Sequence, residues 1–171
     1  MRKRYATSLG LIKSHPDAKL PTQSMDDVGF DVYSVEDVSI ENGNVGKVNT
    51  GLQYATRPYF PESLHMVASS GTYAYDDRWS FETKVEGRSG LASKFIFPIG
   101  GIIDPSYRGD FVIILANHSG ETFNVKKGDK IAQLVLRPVL ANTENHHVEF
   151  VFRESQDTTE RGTKGFGSSG V

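Results

Sequence analysis

The sequence predicts an all-β domain of the sandwich or barrel type, on two observations. Apolar and polar residues alternate in short runs, as in R-W-S-F-E-T-K-V (78–85) and H-V-E-F-V-F-R (147–153), and this is the period of a β-strand. Turn signals separate such runs at E-N-G-N (41–44), S-S-G-T (69–72), H-S-G-E (118–121) and K-K-G-D (126–129). No long amphipathic helix is evident in the sequence, so helical folds are disfavoured.

One run, F-V-I-I-L-A (111–116), is apolar at every position. This pattern predicts a strand that is buried between two layers or covered by a partner subunit. The last predicted strand ends near Arg153. We therefore expect a single all-β domain at 1–153, followed at 154–171 by a polar linker and a glycine-rich C-terminal arm. The composition of that arm predicts mobility in the free protein.

Charge and composition exclude several classes of function. The net charge is -2 and the pI is about 6.2, with both signs interspersed, so no basic face is indicated for nucleic acid or an anionic membrane. The longest unbroken apolar run is far too short to span a bilayer. The absence of cysteine excludes disulfides, thiol nucleophiles and thiolate zinc sites. We expect a cytoplasmic protein, in the host cytoplasm if the source is viral.

Five patches look unlike packing. They are V-G-F-D-V-Y-S (28–34), E-G-R-S-G-L-A-S-K (86–94), G-G-I-I-D-P-S-Y-R-G-D-F (100–111), K-G-D-K-I-A-Q-L-V (127–135) and E-R-G-T-K-G-F-G-S-S-G-V (160–171). Asp31 is either a turn or cap residue or a functional carboxylate. Arg88 belongs either to an ordinary turn or to a phosphate-binding fork. Asp104 either caps its D-P-S-Y turn or points its carboxylate from a fixed frame at the end of a strand.

In this order, the five patches resemble the trimeric dUTP pyrophosphatase (dUTPase) family, over about Val28 to Val171. The matching motifs are G-F-D-V-Y-S, G-R-S-G-L-A, G-I-I-D-P-S-Y-R-G, G-D-K-I-A-Q-L-V and R-G-T-K-G-F-G-S-S-G. The resemblance implies a β-clip or distorted jelly-roll barrel, a flexible C-terminal arm and a homotrimer with shared active sites. It also implies hydrolysis of dUTP to dUMP and pyrophosphate, which limits uracil in DNA and supplies dUMP for dTMP synthesis.

The resemblance also assigns roles to residues. Asp104 would be the base that orients and deprotonates the water attacking the α-phosphorus, and Gln133 would help hold that water. Asp31 would reach Mg²⁺ through water, with no direct protein ligand expected. Arg88, Ser89 and Gly90 would bind the phosphates of the substrate, and Tyr107 would pack on its deoxyribose. A hairpin containing Gly101, Ile102, Ile103 and Val112 would recognise uracil. The arm would complete substrate binding with Arg161, Phe166, Gly167, Ser168 and Ser169.

Three positions depart from the family pattern, and one segment is longer than usual. Ser106 stands where a second acid is usual, Gly87 replaces the proline before R-S-G, and Pro98 occupies a position that is sometimes polar. An extra segment near 57–80 lengthens the chain by roughly twenty residues relative to compact members. This segment could form an extended hairpin or a surface for a protein partner.

Two other functions are considered. A dCTP deaminase of the same superfamily would need either a zinc site with cysteine ligands, which this sequence lacks, or a glutamate base, which cannot be placed beside these motifs. A regulatory protein with the same fold could bind a protein partner through the extra segment. The intact arm and Asp104 argue against loss of activity in such a protein, but they do not argue against an added binding role.

Overall fold

The computed structural model describes residues 9–55, 65–68, 71–74, 79–140, 149 and 151–152. In these ranges the regular structure is almost entirely β, as predicted. The strands are β1 (Leu11–Lys13), β2 (Phe30–Tyr33), β3 (Val38–Ile40), β4 (Val45–Asn49), β5 (Leu52–Tyr54), β6 (His65–Ala68), β7 (Gly71–Ala74), β8 (Trp79–Glu86), β9 (Ile96–Ile99), β10 (Ile102–Ile103), β11 (Val112–Asn117), β12 (Phe123–Val125) and β13 (Lys130–Leu140). The helix α1 (Ser89–Ala92) is a single turn, and no described helix could cross a membrane.

Two antiparallel sheets form the framework. One has the strand order β10-β8-β13-β2 and the other has the order β4-β11-β9, while β1-β5, β3-β12 and β6-β7 form two-stranded sheets. Strands β8 and β13 share a ladder of eight paired positions. The strand predicted at 78–85 is confirmed as β8, and the inward-facing Phe81, Thr83 and Val85 are its buried residues.

Both larger sheets contribute to one hydrophobic core. Val32 and Leu134 come from the four-stranded sheet, and Val48 and Leu115 come from the three-stranded sheet. Burying each such aliphatic side chain stabilises the fold by about 1.5–3 kcal/mol. Tyr54 lies in the same core, where its hydroxyl contacts Thr83 and where burial raises the pKa of its phenol.

The strand predicted at F-V-I-I-L-A is β11, and its two faces differ. Phe111, Ile113 and Leu115 are fully buried in the core, so burial on this face is confirmed. On the other face Val112 is 39% exposed, and its neighbour Ile99 on β9 is 44% exposed. Ala116, further along the same face, is buried, so within the described residues this face is covered only in part. Two covering layers are therefore not complete at Val112, and cover by a partner subunit stays a prediction.

Three of the four predicted turns are confirmed. Gly43, Gly120 and Gly128 have positive φ angles of 81°, 90° and 90°, a conformation that glycine adopts without steric cost. In the extra segment, β6 and β7 pair antiparallel with Ala68 opposite Gly71, while Ser69 and Ser70 of the S-S-G-T signal lie outside the described residues. The extended-hairpin interpretation of this segment is thus correct for its described part.

The strand predicted at 147–153 falls mostly outside the described residues. The described members of this run, Glu149, Val151 and Phe152, are not in a strand. Phe152 is fully exposed, and none of these three residues pairs with a strand in the described part of the chain. The prediction is wrong for these three residues.

Candidate active site

Three side chains from two of the predicted motifs meet around the carboxylate of Asp31, which belongs to a third motif. Arg88 Nε lies 2.9 Å from Asp31 Oδ1, and Lys130 Nζ lies 2.8 Å from Asp31 Oδ2. The Gln133 amide donates to Asp31 Oδ1 over 3.3 Å. We call Asp31, Arg88, Lys130 and Gln133 the Asp31 cluster. The structure therefore brings together three residues that the motifs predicted, and it adds Lys130, which they did not.

The strand order explains why three distant motifs meet. Strand β13 lies between β2 and β8, and its Gln133 is opposite Asp31 on one side and Glu86 on the other. Arg88 lies two residues beyond the end of β8, so its side chain can reach Asp31 across the intervening strand. Gly29 also matters, because a Cβ there would lie 2.6 Å from Gln133 Oε1. In the sequence, Gly29 stands beside Phe30 at the start of the first motif, and this position is the signal by which its importance could have been recognised.

A β-bulge allows Lys130 and Gln133 to act on the same carboxylate. Lys130 is opposite Tyr33 and Gln133 is opposite Asp31, with a register shift between them. Asp31 and Tyr33 are two residues apart and project from the same face of β2. Residues three apart on a regular strand project from opposite faces, so the extra residue of the bulge is required to align Lys130 with Gln133.

The cluster is an electrostatic unit with one acid and two cations. Burial raises the pKa of Asp31, but hydrogen bonds from Lys130 and Gln133 and the charge of Arg88 outweigh this effect and hold that pKa below its ordinary value. In turn, the hydrogen bond and charge of Asp31 raise the pKa of Lys130. With Asp31 ionised and both cations charged, the cluster has a net positive charge, which favours an anionic ligand.

Arg88 is oriented as a fork for such a ligand. Its Nε donates to Asp31, and its Nη1 donates to the Lys130 carbonyl over 3.4 Å. These bonds use two of the five N–H donors of a guanidinium. Ser89 and Gly90 are exposed beside it, and a Cβ on Gly90 would meet nothing within 4 Å. A phosphate could therefore approach this backbone closely.

Asp104 lies in a separate pocket of about 410 Å³, which we call the Asp104 pocket. It is lined by Lys47, Val85, Gly100, Ile102, Ile103, Asp104, Tyr107, Asp110, Phe111, Val112 and Ile114. Asp104 directly follows β10 and is exposed, and the Tyr107 amide donates to its carbonyl over 2.9 Å, closing the predicted D-P-S-Y turn. A pocket of this size, with apolar walls and polar groups from Lys47, Asp104 and Asp110, suits a small heterocycle and sugar.

The predicted hairpin between Gly101 and Val112 is not present as a paired hairpin. Strand β10 pairs with β8, whereas β11 pairs with β4 and β9, so the two strands at either end of the segment are not ladder partners. The carbonyl of Gly101 accepts a hydrogen bond from the Val85 amide over 2.7 Å, which commits this backbone to β8. The segment is instead a loop that connects the two larger sheets.

The two candidate regions do not meet within one chain. Arg88 and Lys130 line a second pocket of about 520 Å³, and none of its lining residues belongs to the Asp104 pocket. In the described residues, no hydrogen bond or ion pair joins Asp104 to the Asp31 cluster. The remaining predicted residues, Arg161, Phe166, Gly167, Ser168 and Ser169, lie outside the described residues.

Replacing Asp31 by asparagine is expected to destabilise the fold in a pH-dependent way. Asp31 is 15% exposed and holds two cations, so the free energy of unfolding at pH 7 should fall by about 1–3 kcal/mol. Its pKa is lower in the folded state than the ordinary 3.8. The wild-type advantage should therefore be complete above about pH 4 and should shrink as the pH falls further.

Urea unfolding of both proteins at pH 7, 5 and 3 measures this difference. Asp37→Asn is a matched control because Asp37 is 62% exposed and pairs with Lys126 at the surface, so its removal should change stability little. A wild-type advantage that is the same at pH 3 as at pH 7 would contradict the assignment of the effect to ionised Asp31.

Comparison with known proteins identifies the family of this chain. A model of the dUTPase family matches residues 59–170. The deoxyuridine 5'-triphosphate nucleotidohydrolase of Nautilia profundicola is 34% identical over 95% of this chain and 98% of its own length. That of Candida albicans is 36% identical over 95% of this chain and 88% of its own length.

Solved structures of dUTPases share the architecture of this chain. The dUTPase of Staphylococcus bacteriophage 80alpha, solved with dUpNHpp, has a TM-score of 0.67 and 25% identity, over 97% of this chain and 100% of that chain. The native dUTPase of EIAV has a TM-score of 0.57 and 19% identity, over 88% of this chain and 100% of that chain. The architecture is therefore the all-β fold of these enzymes, and the chain belongs to the dUTPase family.

Proposed function

We propose that this protein hydrolyses dUTP to dUMP and pyrophosphate by attack of water on the α-phosphorus. The observation that carries the proposal is the presence of two complementary regions. One is a nucleoside-sized pocket with Asp104 at its edge, and the other is a net-positive cluster that presents Arg88. Such a division suits a substrate with an uncharged base and sugar at one end and a triphosphate at the other.

The chemistry assigned to Asp104 is the positioning of water and acceptance of its proton. In phosphoryl transfer the protein has little covalent chemistry to perform, so orientation and charge stabilisation dominate. Asp104 directly follows β10 and precedes a proline, which restricts the backbone on which its carboxylate is mounted. Gln133, already oriented by Asp31, would hold the same water with its amide.

Substrate binding is assigned to both regions. Arg88, Ser89 and Gly90 would bind the phosphates, and Tyr107 would pack on the deoxyribose where a 2′-hydroxyl has no room. Backbone groups at Gly101, Ile102, Ile103 and Val112 would recognise uracil. They belong to a loop that connects two sheets and not to the paired hairpin that the resemblance implied. Arg161 and Phe166 of the arm would reach the γ-phosphate and stack on the base, with Gly167, Ser168 and Ser169 beside them.

Mg²⁺ is the proposed metal. Mg²⁺ sheds its bound water reluctantly, so it would be held mainly by substrate oxygens and water. The oxygens of Asp31 accept three hydrogen bonds from its cluster, and a carboxylate has about four acceptor positions, so one metal-bound water can be accommodated. When bound, the ion would neutralise charge that develops on the phosphates. A phage phi11 dUTPase structure describes a structural Mg(II) ion in that protein.

A homotrimer with shared sites is proposed as the working assembly. Asp104 and the Asp31 cluster must both reach one substrate, yet in a single chain they line separate pockets. A neighbouring copy could supply the missing half, and the exposed apolar face formed by Val112 and Ile99 offers it a contact surface. Such an arrangement would explain why the face of β11 outside the core remains apolar.

The extra segment near 57–80 is proposed to serve a protein partner in addition to catalysis. Its described part forms the β6–β7 hairpin, a structured element rather than a simple linker. Comparing the proteins captured by the full chain with those captured by a chain lacking residues 65–74 tests this role. Equal capture by both chains, with activity retained, would contradict it.

A panel of dUTP, dTTP, UTP and dCTP with Mg²⁺ and detection of pyrophosphate tests the proposed reaction. We expect turnover of dUTP and strong discrimination against the other three, because base and sugar are recognised separately. Absence of turnover with dUTP would reject the proposal. Release of ammonia from dCTP would support the deaminase alternative instead.

A further inference from the structure

Asp110, six residues after Asp104, fastens the loop of the Asp104 pocket to the neighbouring strands. Its Oδ2 accepts a hydrogen bond from Asn49 Nδ2 over 2.9 Å, and its Oδ1 accepts one from Gln53 Nε2 over 2.8 Å. The nearby Ser14 hydroxyl, with Asn49 and Gln53, lowers the pKa of Asp110. The two amide donors lie at the end of β4 and in β5, so one carboxylate connects the loop to two neighbouring strands.

Asn49 is itself held in place for this role. Its side-chain oxygen accepts a hydrogen bond from the Gly51 amide over 2.8 Å, and this bond leaves the Asn49 amide nitrogen directed at Asp110. The next residue, Phe111, is bound to the same turn, because its carbonyl accepts from the Thr50 hydroxyl over 2.8 Å. The end of the loop is therefore fixed by side-chain and backbone bonds together.

The same loop end supports Tyr107. The Tyr107 hydroxyl donates to the carbonyl of Asp110 over 3.3 Å. The ring also lies over Gly109, where an added Cβ would overlap the Tyr107 hydroxyl. The position of this ring in the Asp104 pocket thus depends directly on the backbone of Gly109 and Asp110.

We propose that Asp110 is a positioning residue that sets the sugar selectivity of the pocket by holding Tyr107 in place. The proposal rests on the proposed function, in which the Tyr107 ring excludes a 2′-hydroxyl. Steric exclusion of one oxygen atom requires a ring that cannot retreat, and Asp110 supplies that constraint by fixing the loop that carries Tyr107. Asp110 acts only through Tyr107 and the loop.

A carboxylate is specifically suited to this position. It presents two acceptor oxygens to two amide donors, Asn49 and Gln53, on separate atoms. An asparagine at 110 would present one oxygen and one NH₂ group, so one amide donor would face another donor. Because each of the two donors belongs to a different strand, the substitution should loosen the loop on one side without removing any volume.

The test compares Asp110→Asn with wild type in the ratio of kcat/KM for dUTP to kcat/KM for UTP. We expect the ratio to fall about tenfold or more, since a small displacement of a sterically selective group is sufficient. Binding of non-hydrolysable imido analogues of dUTP and UTP, measured by calorimetry, should lose selectivity in the same direction. Asp37→Asn, a surface carboxylate bound by Lys126 and Lys127, is the matched control and should keep the wild-type ratio.

Two further variants keep the test decisive if Asp110→Asn folds poorly. Gln53→Leu removes one donor while leaving the acid, and Gly109→Ala displaces the Tyr107 ring directly. Both should lower the dUTP to UTP ratio. A purely structural role would lower turnover of both nucleotides equally and leave the ratio unchanged, which would overturn the positioning role.

The failure of this inference differs from failure of the proposed function. A wild-type protein that neither hydrolyses dUTP nor binds its analogue would overturn the proposed function. A wild-type protein that discriminates dUTP from UTP, together with folded Asp110→Asn and Gln53→Leu variants that discriminate equally well, would overturn only the role of Asp110. An unchanged ratio in folded Gly109→Ala would overturn the exclusion of the 2′-hydroxyl by Tyr107 as well.

Discussion

Asp104→Asn is expected to lower kcat for dUTP by at least about a hundredfold, with little change in stability. The substitution keeps the shape of the side chain and removes the base. Asp104 is exposed at the edge of its pocket, and in the described residues no ion pair engages its carboxylate. Exposed positions without such partners usually tolerate substitution, so the loss should appear in turnover and not in the unfolding temperature.

Pyrophosphate release with dUTP and Mg²⁺, beside thermal unfolding, measures both quantities. Asp27→Asn is a suitable control, because Asp27 is also exposed and lies in the loop before β2, away from both pockets. Full turnover in Asp104→Asn would remove Asp104 from the mechanism. Refolding a mixture of Asp104→Asn and Arg88→Ala chains also tests the shared site, since mixed trimers would regain some sites with both residues intact.

Truncation after Glu160 is expected to leave a folded protein with severely reduced turnover. The removed residues include Arg161 and Phe166, which are proposed to hold the γ-phosphate and the base. The buried core lies between Ala18 and Leu134, so its packing should not depend on them. Closure of a segment over bound substrate excludes water and completes a site, and both contributions would be lost.

Matched substitutions separate the ring from the rest of the arm. Phe166→Ala should lower kcat/KM, whereas Phe166→Tyr should retain most of it, because a tyrosine ring stacks on a base equally well. Unfolding temperatures of all three variants should match the wild type. A truncated protein as active as the full chain would show that the arm has no role in catalysis.

Local patterns predicted the strands and turns well. The alternation at 78–85 and the glycines at Gly43, Gly120 and Gly128 report directly on backbone geometry, so β8 and three turns could be predicted without knowledge of the fold. Local patterns could not show whether the segment between Gly101 and Val112 forms a paired hairpin. Its strands pair with partners distant in the sequence, and nothing in the local residues reveals such a choice.

The candidate site was predictable as a set of motifs but not as a geometry. The resemblance supplied Asp31, Arg88 and Gln133, which the structure brings together. It did not supply Lys130, because a lysine beside a turn is ordinarily a solvated residue. Its contact with Asp31 depends on a register shift within β13, which only the paired strands reveal.

That register shift limits how this strand can vary. Ile131 and Ala132 are consecutive and both buried, whereas a regular strand would bury only one of them. If the same residues formed a regular ladder, Ile131 would stand opposite Tyr33 and Lys130 would project from the other face of the sheet, away from Asp31. The bulged conformation between the turn and Gln133 is therefore as much a requirement of this site as the identity of its residues.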